Sequence, residues 1–213
     1  MKVSPAKENI LKKIRKALTN STPIPFPQSE GNSSVFTPTP QELEVEFARR
    51  FTNLQGKFVF CVNHDELVAQ LAALADNNKW DKIVCKDEEL KTVFNERQFK
   101  NHSYTSLETC DASITTCEWL VARTGSIVMS TAQPGGRTTS VYAPIHICVA
   151  YTHQLVYDVK DAILNAREKY AGNLPSLITF ATGPSRTADI EKTLVVGVHG
   201  PKEVYVFLVD QHG

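Results

Sequence analysis

Residues Ala181-Thr182-Gly183-Pro184-Ser185-Arg186-Thr187-Ala188-Asp189-Ile190-Glu191 follow an apolar run and form the strongest local signal for ligand chemistry. Gly183 and Pro184 interrupt the run, and Ser185 and Thr187 flank Arg186 ahead of an expected short helix. Hydroxyls, backbone N–H groups at a helix start and a planar guanidinium together suit a carboxylate or phosphate held by paired hydrogen bonds. The plainer alternative is a capped helix whose Arg186 pairs internally with Asp189 or Glu191. A few residues on, Gly197 and Gly200 bracket His199 in Val198-His199-Gly200-Pro201. An imidazole in such a turn can act as acid, base or donor near neutral pH. The alternative there is a turn histidine bonded to backbone.

Three further segments offer polar groups. Thr124-Gly125-Ser126 lies between two apolar runs and reads as the tight turn of a hairpin, since glycine accepts the positive φ a turn requires. Gln133-Pro134-Gly135-Gly136-Arg137-Thr138-Thr139 is a flexible loop able to fold over an anion, although it lacks the GxxxxGK[ST] pattern of a nucleotide loop. Pro144-Ile145-His146-Ile147 places His146 in an apolar strand, where a satisfied core histidine is the plainer reading. Ligands in open α/β sheets bind beyond the carboxyl ends of the strands. The expectation is therefore one anion-accepting crevice formed by Thr124, Gly125, Ser126, Arg137, His146, Gly183, Ser185, Arg186, Thr187, Asp189 and Gly200. His199, Glu191 and Glu118 are the candidates for proton transfer, and neither acid stands in a supporting motif. No Ser-His-Asp spacing, HExxH or nucleophile elbow supports hydrolysis or metal catalysis.

The elements that must position these groups alternate. Glu42–Leu54 reads as a helix, Lys57–Val62 as a buried strand, and Asp65–Ala75 as a helix with Asn63 or His64 near its cap. Lys82–Cys85 then reads as a strand and Glu88–Asn95 as a helix. Strand Val149–Val156, helix Asp158–Tyr170 and strand Leu177–Phe180 repeat the rhythm, and Val204–Val209 is a last strand. Trp119–Ala122 and Ser126–Ser130 are the arms of the hairpin. This pattern predicts an α/β fold: an open, largely parallel sheet with helices on both faces, spanning residues 41–213. Residues 1–40 form an arm. Ser4 and Pro5 start a helix with Ile10, Leu11, Ile14 and Leu18 on one face. A stretch holding Pro23, Pro25, Pro27, Pro38 and Pro40 follows. Eight of the ten glycines lie at or after Gly125, which places irregular backbone and any site in the second half.

The chain has 213 residues, with 23 basic and 23 acidic side chains, so its net charge is zero. A strongly basic nucleic-acid binder is excluded on that balance. Residues 1–19 carry six basic and one acidic side chain, so the arm is a candidate contact for a partner or a membrane surface. No apolar run reaches 18 residues and the start lacks a signal-peptide core, which points to a cytoplasmic protein without a membrane span. Cys61, Cys85, Cys110, Cys117 and Cys148 include no CxxC pair, so zinc and iron–sulfur ligation lack their usual spacing. Buried free thiols are expected, with Cys110 and Cys117 the only candidates for reactivity.

The segment Gly183 to Glu191, continuing to Gly197-Val198-His199-Gly200-Pro201, resembles the signature of the LUD-domain family. Ile114-Thr115, Thr124-Gly125-Ser126 and Pro144-Ile145-His146-Ile147 share in the resemblance, which extends over nearly the whole chain. It implies a fold similar to the sugar-phosphate isomerase and CoA-transferase-like folds. It also implies a role in bacterial utilization of L-lactate, oxidised to pyruvate. The clusters would sit on iron–sulfur partner proteins and this chain would hold no cofactor. Relatives often carry Glu or Asp where this chain has Arg123, a departure that would remove an acid or add to anion binding. Three functions stand beside one another. One is a component of lactate oxidation with a small anionic ligand. Another is a free-standing enzyme acting on a carboxylate, CoA thioester or phosphorylated small molecule. The third is a non-catalytic scaffold or regulator. A homo-oligomer is compatible with each.

Overall fold

Short polar side chains set the helix starts. Asn63 accepts a hydrogen bond from the Glu66 N–H at 2.9 Å, Asp87 caps from Glu89 and Leu90, and Asp158 caps from Lys160 while Asp161 bonds back to it. The computed structural model describes residues 5–19, 41–187, 195–197 and 199–210. Its helices are α1 (Pro5–Leu18), α2 (Leu43–Asn53), α3 (His64–Asn78), α4 (Glu88–Glu96), α5 (Thr139–Tyr142) and α6 (Val159–Lys169). Its strands are β1 (Lys57–Cys61), β2 (Ile83–Cys85), β3 (Ala112–Thr116), β4 (Trp119–Val121), β5 (Ser126–Ser130), β6 (Ile145–Tyr151), β7 (Leu155–Val156), β8 (Ile178–Ala181), β9 (Arg186–Thr187), β10 (Val195–Val196) and β11 (Glu203–Val209). The chain divides into two units, Met1–Thr37 and Pro38–Gly213. In the first, α1 exposes Ile10 and Ile14; the expected cap Ser4 and the proline-rich stretch lie outside the described residues.

The main sheet has five strands in the order β1-β11-β6-β3-β2, all parallel. Side chains alternate between its faces, as the two-residue period of a strand requires. Along β11, Tyr205, Phe207 and Val209 pack with Leu67 and Leu71 of α3 and Phe94 of α4. Val204, Val206 and Leu208 point to the opposite core, with Phe47 and Phe51 of α2 and Leu120 and Ile127 of β4 and β5. Strands buried on both faces read as continuous apolar runs, which is why β6 and β11 are legible in the sequence.

The parallel sheet is flanked by helices as expected, and on its second face α2 is joined by further strands. A second sheet, in the order β7-β4-β5-β8, packs there beside α2. Its own outer face is covered by Ala162 and Ala166 of α6, against Trp119, Val121 and Val128. The predicted hairpin is therefore the centre of a sheet. The strand at Ile178–Ala181 does not continue the parallel rhythm but pairs antiparallel with β5. It is an edge strand, half-buried, with Phe180 exposed, a pattern different from the doubly covered strands of the main sheet. All five cysteines are free and buried; burial pushes the Cys61 and Cys85 thiols up to about 11. Cys110 is raised by burial, and Cys117 by its contact with Cys148 and by burial, so neither has the environment of a reactive thiolate. No described helix is long and apolar enough to cross a membrane.

Candidate functional site

The turn between β4 and β5 is bound to the end of α2. Gly125 has φ +64°, and a Cβ there would stand 2.8 Å from the Phe51 backbone nitrogen, so only glycine permits this approach. The Ser126 hydroxyl meets both the Thr124 and Thr182 hydroxyls at 2.8 Å. Gly183 repeats the arrangement: φ is +80°, and a Cβ would lie 2.7 Å from the Leu54 carbonyl oxygen. That same oxygen accepts a 2.7 Å hydrogen bond from Arg186 Nη2. Thr124, Gly125, Ser126, Gly183 and Arg186 thus gather around the carboxyl end of α2.

Ser185 ties this group to the His199 turn. Its N–H donates to the Pro201 carbonyl at 3.0 Å, its carbonyl accepts from Gly197 at 2.9 Å, and Gly200 lies against its side chain. Arg186 and Thr187 form β9, paired antiparallel with β10 in a small ribbon; the short helix expected after them lies outside the described residues. The candidates Asp189 and Glu191, together with Val198, lie outside the described residues. Beside the ribbon is a cleft of about 450 Å³ lined by Tyr142, Pro144, His199, Gly200 and Lys202, with Val141 and Gly197. His199 and Lys202 are exposed, and none of the described lining residues is an acid. Lys202 and Pro144 immediately precede β11 and β6, so the cleft is at the amino end of the parallel sheet, opposite to the expected end.

Two expected members, His146 and Arg137, are placed elsewhere, and Arg123 is engaged at the start of α6. His146 is buried within the sheet and shares a 2.8 Å hydrogen bond with the Thr115 hydroxyl. Burial lowers its pKa to about 4, which makes it a neutral core histidine with no face toward a ligand. Arg137 donates to the Ser176 hydroxyl at 2.9 Å, away from the α2 terminus. Arg123 does not add to an anion site. Its Nε sits 2.6 Å from Asp158 Oδ2, and this bond holds the Asp158 carboxyl below its ordinary value while fixing the cap of α6. The single crevice drawn from sequence is thus an amino-end cleft with its neighbours, plus residues dispersed by the fold.

Glu118 marks a second place. Its carboxylate is buried and accepts from Ser130 Oγ at 2.5 Å, Tyr170 Oη at 2.6 Å and Lys169 Nζ at 2.6 Å. Burial pushes this carboxyl up, but the Lys169, Ser130 and Tyr170 bonds outweigh it and hold it below the usual range. The network lines a cleft of about 780 Å³ beyond Cys85, Thr116 and Tyr151, the carboxyl ends of β2, β3 and β6. Sequence reasoning missed Ser130, Lys169, Tyr170 and Lys86 here. The one local signal was an acid set between apolar Cys117 and Trp119. Among the described residues no group of three His, Cys, Asp or Glu side chains is arranged to hold a metal ion.

Comparison with known proteins places this geometry among relatives. The family model described as LUD domain matches residues 6–209. An uncharacterized protein of Neisseria meningitidis serogroup B is 30% identical over 139 residues, covering 65% of this chain and 54% of its own. Lactate utilization protein C of Shouchella clausii is 35% identical over 109 residues, covering 51% of this chain and 48% of its own. Its namesake in Deinococcus radiodurans is 33% identical over 108 residues, covering 50% of each. The chain spans about half the length of the curated relatives it matches. A crystal structure of a DUF162 family protein from Deinococcus radiodurans has the same fold, with a TM-score of 0.57 at 20% identity over 78% of this chain and 96% of that one.

Proposed function

The chain belongs to the LUD-domain family, and from that premise we propose that it serves bacterial utilization of L-lactate, oxidised to pyruvate, by binding a small carboxylate in the amino-end cleft. The relatives named lactate utilization protein C support the process. The observation that carries the ligand class is the lining of the cleft. An exposed ammonium, Lys202, and the His199 imidazole stand beside an apolar wall of Val141, Tyr142 and Pro144, with no described acid among them. A cation for the carboxylate and an apolar surface for a methyl group are what a three-carbon hydroxy or keto acid needs. Arg186, bound through Nη2 to Leu54, holds the ribbon against α2 and leaves the rest of its exposed guanidinium for solvent or ligand.

Electron transfer belongs to iron–sulfur partner proteins in this reading. The support is the family resemblance, with which the spacing of the five cysteines, 24, 25, 7 and 31 residues apart, agrees. The test is thermal unfolding with L-lactate and pyruvate, alongside co-purification with the iron–sulfur proteins of the same system. A ligand at about 100 times its dissociation constant adds about 2.7 kcal/mol, which for this size is roughly 5–10 °C. The shift is expected for wild type and absent in Lys202→Ala. Equal shifts in both proteins place the ligand elsewhere. Failure to recover iron–sulfur proteins under conditions that retain other partners removes that part of the reading.

A further inference from the structure

A cleft of about 1060 Å³, larger than either cleft described above, lies between α2 and the edge strand β1. Phe47 and Phe51 of α2 point into the core. The helical period therefore turns Val45, Ala48 and Thr52 outward as one stripe, and this stripe is the cleft wall. Phe58 and Phe60, two residues apart on β1, share a face and supply the floor. Val45 is 50% and Phe60 43% exposed, so the apolar surface is open.

The rim of this cleft is acidic. Glu42, Glu44 and Asp210 line it against a single cation, Arg49, which is itself bonded to the buried Glu46. Glu42 is the N-cap residue of α2, yet its side chain makes no capping bond. Neither Glu42 nor Glu44 forms an ion pair among the described residues. An apolar floor under a net negative rim suits a basic partner with an apolar face.

The helix α1 has that character. Ile10 and Ile14, one turn apart, are 59% and 48% exposed, and Leu11 lies beside them. At about 3.6 residues per turn, Lys13 and Arg15 fall on either side of this stripe. The helix carries Lys7, Lys12, Lys13, Arg15 and Lys16 against Glu8 alone. A helix of 14 residues is marginal in water by itself and gains most of its stability by packing an apolar face.

We propose that the protein is a dimer in which α1 of each copy lies in the α2–β1 cleft of the other. The stripe of Ile10 and Ile14 packs on Val45, Phe58 and Phe60, and the basic flanks face Glu42, Glu44 and Asp210. Made reciprocally about a two-fold axis, the contact occurs twice and closes at two copies. The inference is independent of the carboxylate reading, because this cleft shares no lining residue with the amino-end cleft.

Sedimentation velocity of the full chain tests this. Wild type is expected to sediment as a dimer, and Ile14→Glu and Val45→Glu each as a monomer. Both positions are exposed sites on helices and Glu is a good helix former, so both variants should fold. A cooperative thermal transition in each verifies that. An equimolar mixture of the two variants is expected to recover dimers, because one brings an intact helix and the other an intact cleft. Raising salt from about 0.05 M to about 0.5 M is expected to weaken the wild-type dimer several-fold. A monomeric wild type, a dimer that survives either substitution, a mixture that stays monomeric, or a dimer indifferent to salt each overturns the proposal.

Discussion

The two ends of the parallel sheet carry clefts made by different means. At the amino end the geometry is a matter of backbone. Gly125 and Gly183 approach the end of α2 closer than any side chain would allow, Arg186 caps the Leu54 carbonyl, and Ser185 exchanges backbone bonds with Gly197 and Pro201. At the carboxyl end the geometry is a matter of buried side chains, with Glu118 gathering Ser130, Lys169 and Tyr170. The first leaves its cation and imidazole exposed. The second fixes its cation on a buried acid. An open cleft with exposed charges suits a small ligand taken up and released. An anchored charge suits one that must be oriented.

That contrast is sharpest where it is broken by mutation. Gly125→Ala has the largest expected effect, because it combines positive φ with a backbone clash at 2.8 Å. A loss of about 2–5 kcal/mol in urea unfolding is expected. A loss below about 1 kcal/mol would mean that the turn relaxes away from α2 and that backbone does not define the amino end.

Next in size is the contribution of His146, which belongs to neither cleft. Its folded pKa is lowered to about 4, against an ordinary 6.5. Between those values the unfolded chain binds a proton that the folded chain refuses, so stability falls as pH drops through that interval. The full effect is about 3 kcal/mol. Urea midpoints measured from about pH 7 to about pH 5 should decline in wild type and decline less in His146→Asn. Equal slopes would place the proton uptake on other groups.

Lys169→Ala follows. It leaves the buried Glu118 carboxylate with two of its three donors, and about 1–3 kcal/mol of stability should be lost. Lys169 is itself half-exposed, which keeps the figure below that of a fully buried ion pair. The matching variant at the other end, Lys202→Ala, should change stability by less than about 0.5 kcal/mol. A comparable loss at both lysines would erase the distinction between anchored and open charge.

The same distinction explains what the sequence makes visible. Glycine and proline announce irregular backbone locally, so Gly125, Gly183 and Gly200 are readable as site-forming from residue type and spacing alone. The strands of the main sheet are visible for a similar reason, since burial on both faces leaves unbroken apolar runs such as those of β6 and β11. The second sheet is hidden because β8, an edge strand, has the same residue types as a parallel strand. Its pairing with β5, from Ile127 with Ala181 to Ser130 with Ile178, joins segments far apart in the chain. The Glu118 network is hidden because its donors are 12, 51 and 52 residues distant in sequence. Arg137 and His146 were drawn into one crevice by type alone, and the fold gives one to Ser176 and the other to Thr115.

If the amino-end cleft holds a small carboxylate through Lys202 and His199, that ligand must stabilise the fold in a way that depends on the Lys202 ammonium. Thermal unfolding with saturating L-lactate and pyruvate, compared across wild type, Lys202→Ala and Lys86→Ala, tests this most directly. A rise of roughly 5–10 °C in wild type and Lys86→Ala, lost in Lys202→Ala, is the predicted result. A rise that survives in Lys202→Ala, or none in wild type, would contradict it.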